Sequence, residues 1–191
     1  DAWRVNNKKE KEKYINYHGI QANRIVVNNT LVDTKTFTKK FDTNLINDFK
    51  SNITQDSSTK LLLWVGRPVK FKKIDLLINT FSEVQKTNPN TKLVLVGNFK
   101  NSILLNKLLE NTDSVLKKKI YIYSKGADHD LLSKFYRVSD IYLHTSVYEG
   151  YGVVLSEAAL SGLPIVSTSS DGSIENIEDG KSGFLVKPHT A

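Results

Sequence analysis

This chain of 191 residues contains no cysteine, and that absence excludes disulfides and thiolate metal sites. It also lacks long apolar runs. The longest, such as residues 61–65 and 93–96, are far shorter than the roughly 20 residues of a membrane-spanning helix. Residues 1–13 are polar and charged, so they do not contain the apolar segment of a secretory signal.

Several catalytic signatures are missing as well. No Gly-x-Gly-x-x-Gly follows an early strand and no Gly-Lys-Ser/Thr phosphate loop is present, so an ordinary dehydrogenase or nucleoside triphosphatase is poorly supported. The Gly-x-Ser-x-Gly turn of serine hydrolases is absent. No metal-ligand spacing relates the four histidines, which we expect to be surface or packing residues: His18, His129, His144 and His189.

The net charge of +7 is compatible with nucleic acid, an anionic membrane surface or phosphorylated small molecules as partners. Most lysines are scattered through polar stretches, which is typical of a solvated face. One basic cluster is tighter and contains no acid: Arg67, Lys70, Lys72 and Lys73. No aromatic-basic stripe accompanies the charge, so nucleic-acid binding gains no further support.

The apolar pattern becomes regular after residue 60. Five apolar runs are typical of buried strands: residues 61–65, 93–96, 120–123, 141–144 and 165–167. Four helix-like segments lie between them: residues 74–86, 102–109, 129–138 and 153–161. Strands that alternate with helices predict an α/β fold, a Rossmann-like parallel sheet with helices on both faces. Residues 184–186 predict an added edge strand.

The first 59 residues are less regular. They predict a helix over residues 8–18, a strand over 24–27 and a short helix over 44–50, and the Ser/Thr-rich stretch 51–60 is the best linker candidate. We expect one domain over residues 1–191, with a leading segment (1–59), a core (60–191) and no second complete sheet. The first residue is not methionine and no obvious helix ends the chain, so we expect a piece of a longer protein.

Open parallel sheets bind ligands beyond the carboxyl ends of their strands, where the strand order reverses. Four loops therefore come under consideration: residues 66–73, 97–101, 124–128 and 145–152. In the first loop, Arg67 and Lys72 provide a planar guanidinium and a mobile ammonium, both suited to a diphosphate. A solvated basic turn is the plainer alternative. In the last loop, Gly150 and Gly152 bracket Tyr151 where a helix begins, so backbone N–H groups can approach phosphate oxygens closely.

Two glutamates flank this helix start. Glu149 precedes the helix and Glu157 lies inside it. A carboxylate beside a phosphate site needs hydroxyl donors, which sugars and ribose supply. Taken singly, Glu149 can simply complement the helix dipole, and Glu157 can belong to a partly buried ion pair. Together with the glycines, the pair favours a binding function.

These residues resemble a known family. The string YEGYGVVLSE at residues 148–157, followed by SGLP at 161–164, resembles the signature of retaining glycosyltransferases with two Rossmann-like domains, the GT-B type of glycosyl transferases group 1. The string WVGR at 64–67, with Lys72, resembles the phosphate-binding loop of that family. The segment 132–140, which includes Tyr136, resembles the helix before the signature.

The resemblance implies a carboxyl-terminal domain that binds a nucleotide-diphosphate sugar. Arg67 and Lys72 would neutralise the departing diphosphate without a metal ion, and Glu149 would orient the transferred sugar. Glu157 would bind the ribose hydroxyls, and backbone N–H groups after Glu149 would hold sugar or phosphate oxygens. The implied catalytic residues are Glu149, Arg67 and Lys72. The implied donor-binding set is Gly66, Arg67, Lys72, Gly97, Ser124, Glu149, Gly150, Tyr151, Gly152, Val153 and Glu157.

By the same resemblance, a glycan or lipid-linked acceptor would bind to an amino-terminal domain absent from this sequence. The isolated chain should then bind nucleotide but transfer sugar poorly or not at all. We expect no metal or other cofactor, no nucleic-acid partner and a cytoplasmic location, with peripheral association of the full-length protein with the cytoplasmic membrane face. Departures from the family pattern at Thr30, Lys73, Thr145 and Asp171 leave the subfamily open. Half of a nucleotide-sugar epimerase and a non-catalytic nucleotide-binding domain remain alternatives.

Overall fold

A computed structural model describes residues 2–187; His189 and the end of the expected domain lie outside the described residues. The strands are β1 (Trp3–Val5), β2 (Ile25–Val27), β3 (Lys60–Val65), β4 (Thr91–Val96), β5 (Ile120–Tyr123), β6 (Ile141–His144), β7 (Ile165–Thr168) and β8 (Phe184–Val186). The α-helices are α1 (Lys8–His18), α2 (Thr34–Phe37), α3 (Thr43–Ser51), α4 (Ile74–Thr87), α5 (Ile103–Glu110), α6 (Ser114–Lys118), α7 (His129–Val138), α8 (Val153–Leu160) and α9 (Asp171–Asn176).

The main sheet is parallel and has the strand order β5-β4-β3-β6-β7-β8. The chain runs from β3 outward to β5, then crosses to β6 and continues outward to β8. The order therefore reverses between β3 and β6, where Leu62 pairs with Ile141 and Leu63 with Tyr142. A reversal of this kind opens a crevice at the carboxyl edge of the sheet. The predicted α/β fold is confirmed, and residues 184–186 do form an edge strand.

Both faces of the sheet are covered by helices because the strand side chains alternate between them. On β3, Leu61 and Leu63 pack with residues of α7 and α8, whereas Leu62 and Trp64 pack with α4 and α5. The apolar face of α4 is buried at spacings of three and four residues: Ile74, Leu77, Ile78 and Phe81. Burying these large side chains on both faces fixes the carboxyl edge of the sheet, where the candidate loops begin.

The leading segment contains a second, small parallel sheet made of β1 and β2. Arg24, predicted as strand, lies instead in a 3₁₀ turn (Ala22–Arg24), and the strand starts at Ile25. The predicted linker, residues 51–60, is a packed connection, because Ile53 is buried in the same core as Leu61. Two parallel strands are too few for an independent unit, so β1 and β2 depend on the contacts made by α1.

Candidate functional site

The loops after β3 and β6 meet at the crevice and are joined by one backbone hydrogen bond and one side-chain hydrogen bond. Val147 N donates to Phe71 O at 2.9 Å, and Thr145 Oγ1 donates to Lys72 O at 2.8 Å. Above these bonds the Lys72 ammonium pairs with the Glu149 carboxylate, and both side chains are largely buried. Two residues that are 77 positions apart, proposed from the sequence as parts of one site, are therefore in direct contact.

Arg67 lies at the mouth of the same crevice. It is exposed, and it has no ion pair with any residue in the range 2–187. Its position is set by the close approach of two strand ends: Gly66 N donates to Val96 O, and a Cβ on Gly97 would lie 2.0 Å from Gly66 O. Only glycine at position 97 permits this approach. The guanidinium is thus available to an incoming anion.

The loop from Glu149 to Gly152 is held by its carbonyl oxygens. Glu149 O accepts from Gly172 N at 2.9 Å, Gly150 O accepts from the Asn7 amide, and Tyr151 O accepts from the Asn176 amide. Because the carbonyl oxygens of this loop point toward these partners, its backbone N–H groups can face the crevice. Across the described part of the chain, no acceptor engages the backbone N–H groups of the predicted set: Gly150, Tyr151, Gly152 and Val153. Such a row of free N–H groups at the start of α8 suits phosphate or sugar oxygens.

Glu157 is 5% exposed and lies on α8 in the buried layer. The Tyr136 hydroxyl donates to Glu157 Oε2 at 2.9 Å. Burial raises the pKa of Glu157, and the Tyr136 hydrogen bond opposes the rise. Among residues 2–187 no cation pairs with this carboxylate, so the ion-pair alternative does not hold. The Glu157 carboxylate has the Tyr136 hydroxyl as its donor, so its remaining lone pairs can accept hydrogen bonds from the hydroxyl groups of a ligand.

Gly97 and Ser124 belong to two loops that are tied to each other. Gly97 N donates to Tyr123 O at 3.1 Å, Phe99 N donates to Ser124 O at 3.2 Å, and Gly126 N donates to Gly97 O at 3.1 Å. Gly97 therefore joins the β3 loop on one side and the β5 loop on the other. Ser124 is exposed, and among residues 2–187 it forms no hydrogen bond with another candidate residue.

The structure adds one residue that the sequence assigned to packing. His144, the last residue of β6, is 1% exposed, and its Nε2 lies 3.5 Å from Glu149 Oε2. Neither ring nitrogen has a hydrogen-bond partner among the described residues. Burial, with a smaller contribution from Lys72, lowers the pKa of His144 to about 3. The imidazole is therefore neutral at physiological pH.

The amino-terminal helix forms one wall of the site, which the sequence did not predict. A cavity of about 220 Å³ separates α1 from the loop before α8, and Glu149 lies between this cavity and Lys72. Its polar lining includes Asn7, Lys13 and Asp171. Asn7 was identifiable only as an N-cap, since its side chain accepts from Glu10 N.

Residues 2–187 contain no group of three or more His, Cys, Asp or Glu side chains placed to hold a metal ion. Over the same residues, no helix is long and apolar enough to cross a membrane.

Residues 46–191 match the protein family described as glycosyl transferases group 1. The chain belongs to this family. Mannosylfructose-phosphate synthase of Agrobacterium fabrum is 33% identical over 68% of this chain and 30% of its own length. D-inositol 3-phosphate glycosyltransferase of Corynebacterium aurimucosum is 27% identical over 98% of this chain and 45% of its own length. This member of the family thus spans less than half the length of these curated relatives.

Solved glycosyltransferases share the fold. A glycosyltransferase from Rickettsia africae superposes with a TM-score of 0.88 at 20% identity, over 100% of this chain and 50% of that one. HepE of Anabaena, solved with UDP and glucose, superposes with a TM-score of 0.84 at 20% identity, over 98% of this chain and 50% of that one. At such low identity these likenesses show the fold, which is that of GT-B glycosyltransferases.

Proposed function

We propose that this chain is the donor-binding half of a glycosyltransferase that uses a nucleotide-diphosphate sugar. The observation that carries the proposal is the contact between Lys72 and Glu149 across the strand reversal, beside a glycine loop with unengaged N–H groups. Cations, N–H donors and a carboxylate at one crevice suit a ligand that carries both phosphates and hydroxyls.

The transferred group would leave a nucleoside diphosphate behind. Arg67 and Lys72 neutralise the charge that develops on the diphosphate, so no metal ion is required for that purpose. Glu149 accepts hydroxyl hydrogen bonds from the transferred sugar, and Glu157 accepts them from the ribose. The N–H groups of the loop before α8 hold phosphate or sugar oxygens. With the family's usual stereochemistry, transfer proceeds with retention at the sugar carbon.

The acceptor would bind to the other half of a longer protein. Relatives named for quite different products, such as alpha-monoglucosyldiacylglycerol synthase of Acholeplasma laidlawii and trehalose synthase of Pyrococcus furiosus, match this chain over about a third of their length. We infer a glycan or lipid-linked acceptor, a cytoplasmic protein and peripheral contact of the whole protein with the membrane face. An epimerase half gains no support, because the relatives reported above are glycosyltransferases and sugar synthases.

Calorimetric titration tests the proposal. The chain is titrated with UDP, GDP, ADP and their common sugar derivatives at low salt, once in EDTA and once with Mg²⁺. We expect saturable binding of one nucleotide with equal affinity in both buffers, and little or no sugar transfer by the chain alone. Arg67→Ala and Glu157→Ala should each weaken binding about tenfold or more, since each removes a charged hydrogen-bonding group.

Lys70→Ala is the matched control, because Lys70 is an exposed cation of the same loop without a place in the site. It should bind as the unaltered chain does. Failure of every nucleotide to bind at low salt would overturn the proposed function, and strict dependence on Mg²⁺ would overturn its metal-independent form.

A further inference from the structure

His144 occupies an unusual position for a neutral polar side chain. It is 1% exposed at the carboxyl end of β6, and both ring nitrogens lack a partner among residues 2–187. Leaving a buried donor or acceptor unpaired is unfavourable, and native proteins rarely do so without a functional reason. The unpaired imidazole therefore points to a second arrangement of the site in which a ring nitrogen of His144 has a hydrogen-bond partner.

The polar groups that face the imidazole are few. Glu149 Oε2 lies 3.5 Å from Nε2, and Lys72, from the loop after β3, pairs with that same oxygen. The Tyr142 ring lies beside the imidazole at 6.2 Å between centroids. A neutral imidazole carries one N–H, and Glu149 offers it an acceptor 3.5 Å from Nε2. His144 and Lys72 thus share a single carboxylate as their target.

We propose that His144 is a positioning residue for Glu149, whose carboxylate it holds through Nε2–H when Lys72 turns to the donor diphosphate. The inference rests on the proposed function, since it is the diphosphate that draws Lys72 away. In the structure Lys72 pairs with Glu149, and His144 Nε2 lies 3.5 Å from the same carboxylate, at the limit of hydrogen-bond distance. A small turn of the carboxylate completes the bond.

The exchange matters because one ammonium cannot hold Glu149 and neutralise a diphosphate at once. After Lys72 moves, Glu149 would be oriented only by the sugar it is meant to orient. A neutral donor behind the carboxylate fixes its direction without competing for the phosphates. The cavity on the α1 side is lined by Glu149, so in a complex with nucleoside diphosphate alone it leaves room for water at the carboxylate. In a complex with the nucleotide sugar, the sugar displaces that water and the bond from His144 becomes necessary.

Three substitutions at this position separate positioning from packing. Gln places an amide nitrogen where Nε2 lies, Asn places one where Nδ1 lies, and Leu supplies none. UDP and UDP-glucose are the probes, because a solved protein of the same fold was crystallised with UDP-glucose. We expect His144→Leu and His144→Asn to weaken UDP-glucose binding about tenfold and to leave UDP binding unchanged. His144→Gln should restore the affinity for UDP-glucose.

A second measurement does not depend on any ligand. In Lys72→Met, Glu149 loses the ammonium and His144 becomes its remaining partner. Nitrogen-15 NMR of the histidine ring, assigned with His144→Gln, should show the proton on Nε2 and a strong downfield shift of that proton relative to the unaltered chain. The shift should disappear in the double variant Lys72→Met with Glu149→Leu.

Each outcome separates the two proposals. If UDP-glucose binds His144→Leu as tightly as the unaltered chain, or if His144→Gln is as weak as His144→Leu, the positioning role is overturned while nucleotide binding stands. If no nucleotide binds at all, the proposed function fails. The NMR measurement then shows independently whether His144 Nε2–H bonds to Glu149. A proton found on Nδ1 in Lys72→Met overturns the inference whatever the nucleotides do.

Discussion

The Glu157 carboxylate of α8 is buried, and within the described residues its hydrogen-bond donor is the Tyr136 hydroxyl at 2.9 Å. Burial raises its pKa, so the ionised form is disfavoured in the folded chain. A glutamate with a raised folded pKa contributes its stability below the unfolded value near 4.5, and this contribution is lost as pH rises through the folded pKa. Above the unfolded value, burial of the Glu157 side chain therefore lowers the stability of the folded chain.

Glu157→Gln should consequently stabilise the fold and weaken the binding of the nucleotide. Gln keeps an oxygen that accepts from Tyr136 but needs no desolvated charge, so at pH 8 we expect the free energy of unfolding to rise by about 1 kcal/mol. Nucleotide affinity should fall about tenfold, since a neutral amide is a weaker acceptor for ribose hydroxyls. Urea denaturation and calorimetry measure the two effects.

Glu110→Gln, at an exposed glutamate of α5, is the control and should change neither the stability nor the affinity. If Glu110→Gln is stabilised while Glu157→Gln is unchanged, this account of Glu157 is contradicted.

Single residues differ in how much of their role the sequence predicts. Lys72 and Glu149 could be placed at one sheet edge in advance, because each follows a buried strand, whereas their direct contact is seen only in the structure. His144 could not, since a single histidine at a strand end has no pattern to distinguish it from a packing residue. Its importance comes from the direction of its ring toward Glu149 and from the lack of any other partner within residues 2–187.

Among the structural elements, the carboxyl ends of β3 and β4 approach most closely at Gly66 and Gly97. A Cβ at position 97 would lie 2.0 Å from Gly66 O, which is backbone and cannot move aside as a side chain does. We expect Gly97→Ala to destabilise the chain by about 3 kcal/mol, the upper end of the range for overpacked sites, and to displace the Arg67 loop. Urea denaturation and nucleotide titration should both show the loss.

Gly126→Ala is the control for Gly97→Ala. Gly126 has a φ of +73°, and nothing lies within 4 Å of an added Cβ. Its substitution should therefore involve only the strain of a left-handed alanine, about 1 kcal/mol. Equal losses in the two variants would show that the contact between Gly97 and Gly66 is not what requires glycine.

Elements marked by an apolar run or an apolar face were predicted well, and elements without one were mostly missed. The boundaries of β5, β6 and β8 were predicted to the residue because each is a continuous apolar run, and those of α7 because its apolar face is buried. The unpredicted elements are β1, α2, α6 and α9, each of three to six residues. None of these four segments contains the continuous apolar run that marks β5 and β6. The three helices instead begin at polar N-caps, Asp33, Asp113 and Ser170, and are stabilised by contacts made only in the folded chain.

At the scale of the whole molecule, the leading segment and the core share one site. Lys13 pairs with Asp171 of α9, Lys8 N donates to Glu175 Oε1 at 2.6 Å, and Asn7 holds the carbonyl of Gly150. These partners are between 143 and 167 residues apart in sequence. No local pattern encodes contacts over such separations, so the sequence predicted the sheet, its loops and the helix α1, but not the position of α1 against those loops.

The pH dependence of stability combines several exposed aspartates with two buried groups, Glu157 and His144. Hydrogen bonds lower the pKa of four exposed aspartates, so their stabilisation is lost only as pH falls to their unfolded value of 3.8 and below: Asp33, Asp56, Asp113 and Asp130. Glu157 acts in the opposite direction, and its contribution grows as pH falls toward 4.5. His144 is a buried group whose cost to folding grows as pH falls from 6.5 toward that value.

His144 has a pKa of about 3 in the folded chain and 6.5 as the unperturbed value. Below pH 6.5 the unfolded chain therefore binds a proton that the folded chain, where Lys72, Glu149 and Tyr142 surround the ring, does not bind. Stability should fall between pH 6.5 and 4.5 by an amount on the order of 2 kcal/mol, less the gain at Glu157. Urea denaturation at pH 7, 6 and 5 measures the slope. His144→Leu removes the titrating ring and should flatten the curve over this interval. A variant that loses stability on acidification as steeply as the unaltered chain would place the acid sensitivity elsewhere in the molecule.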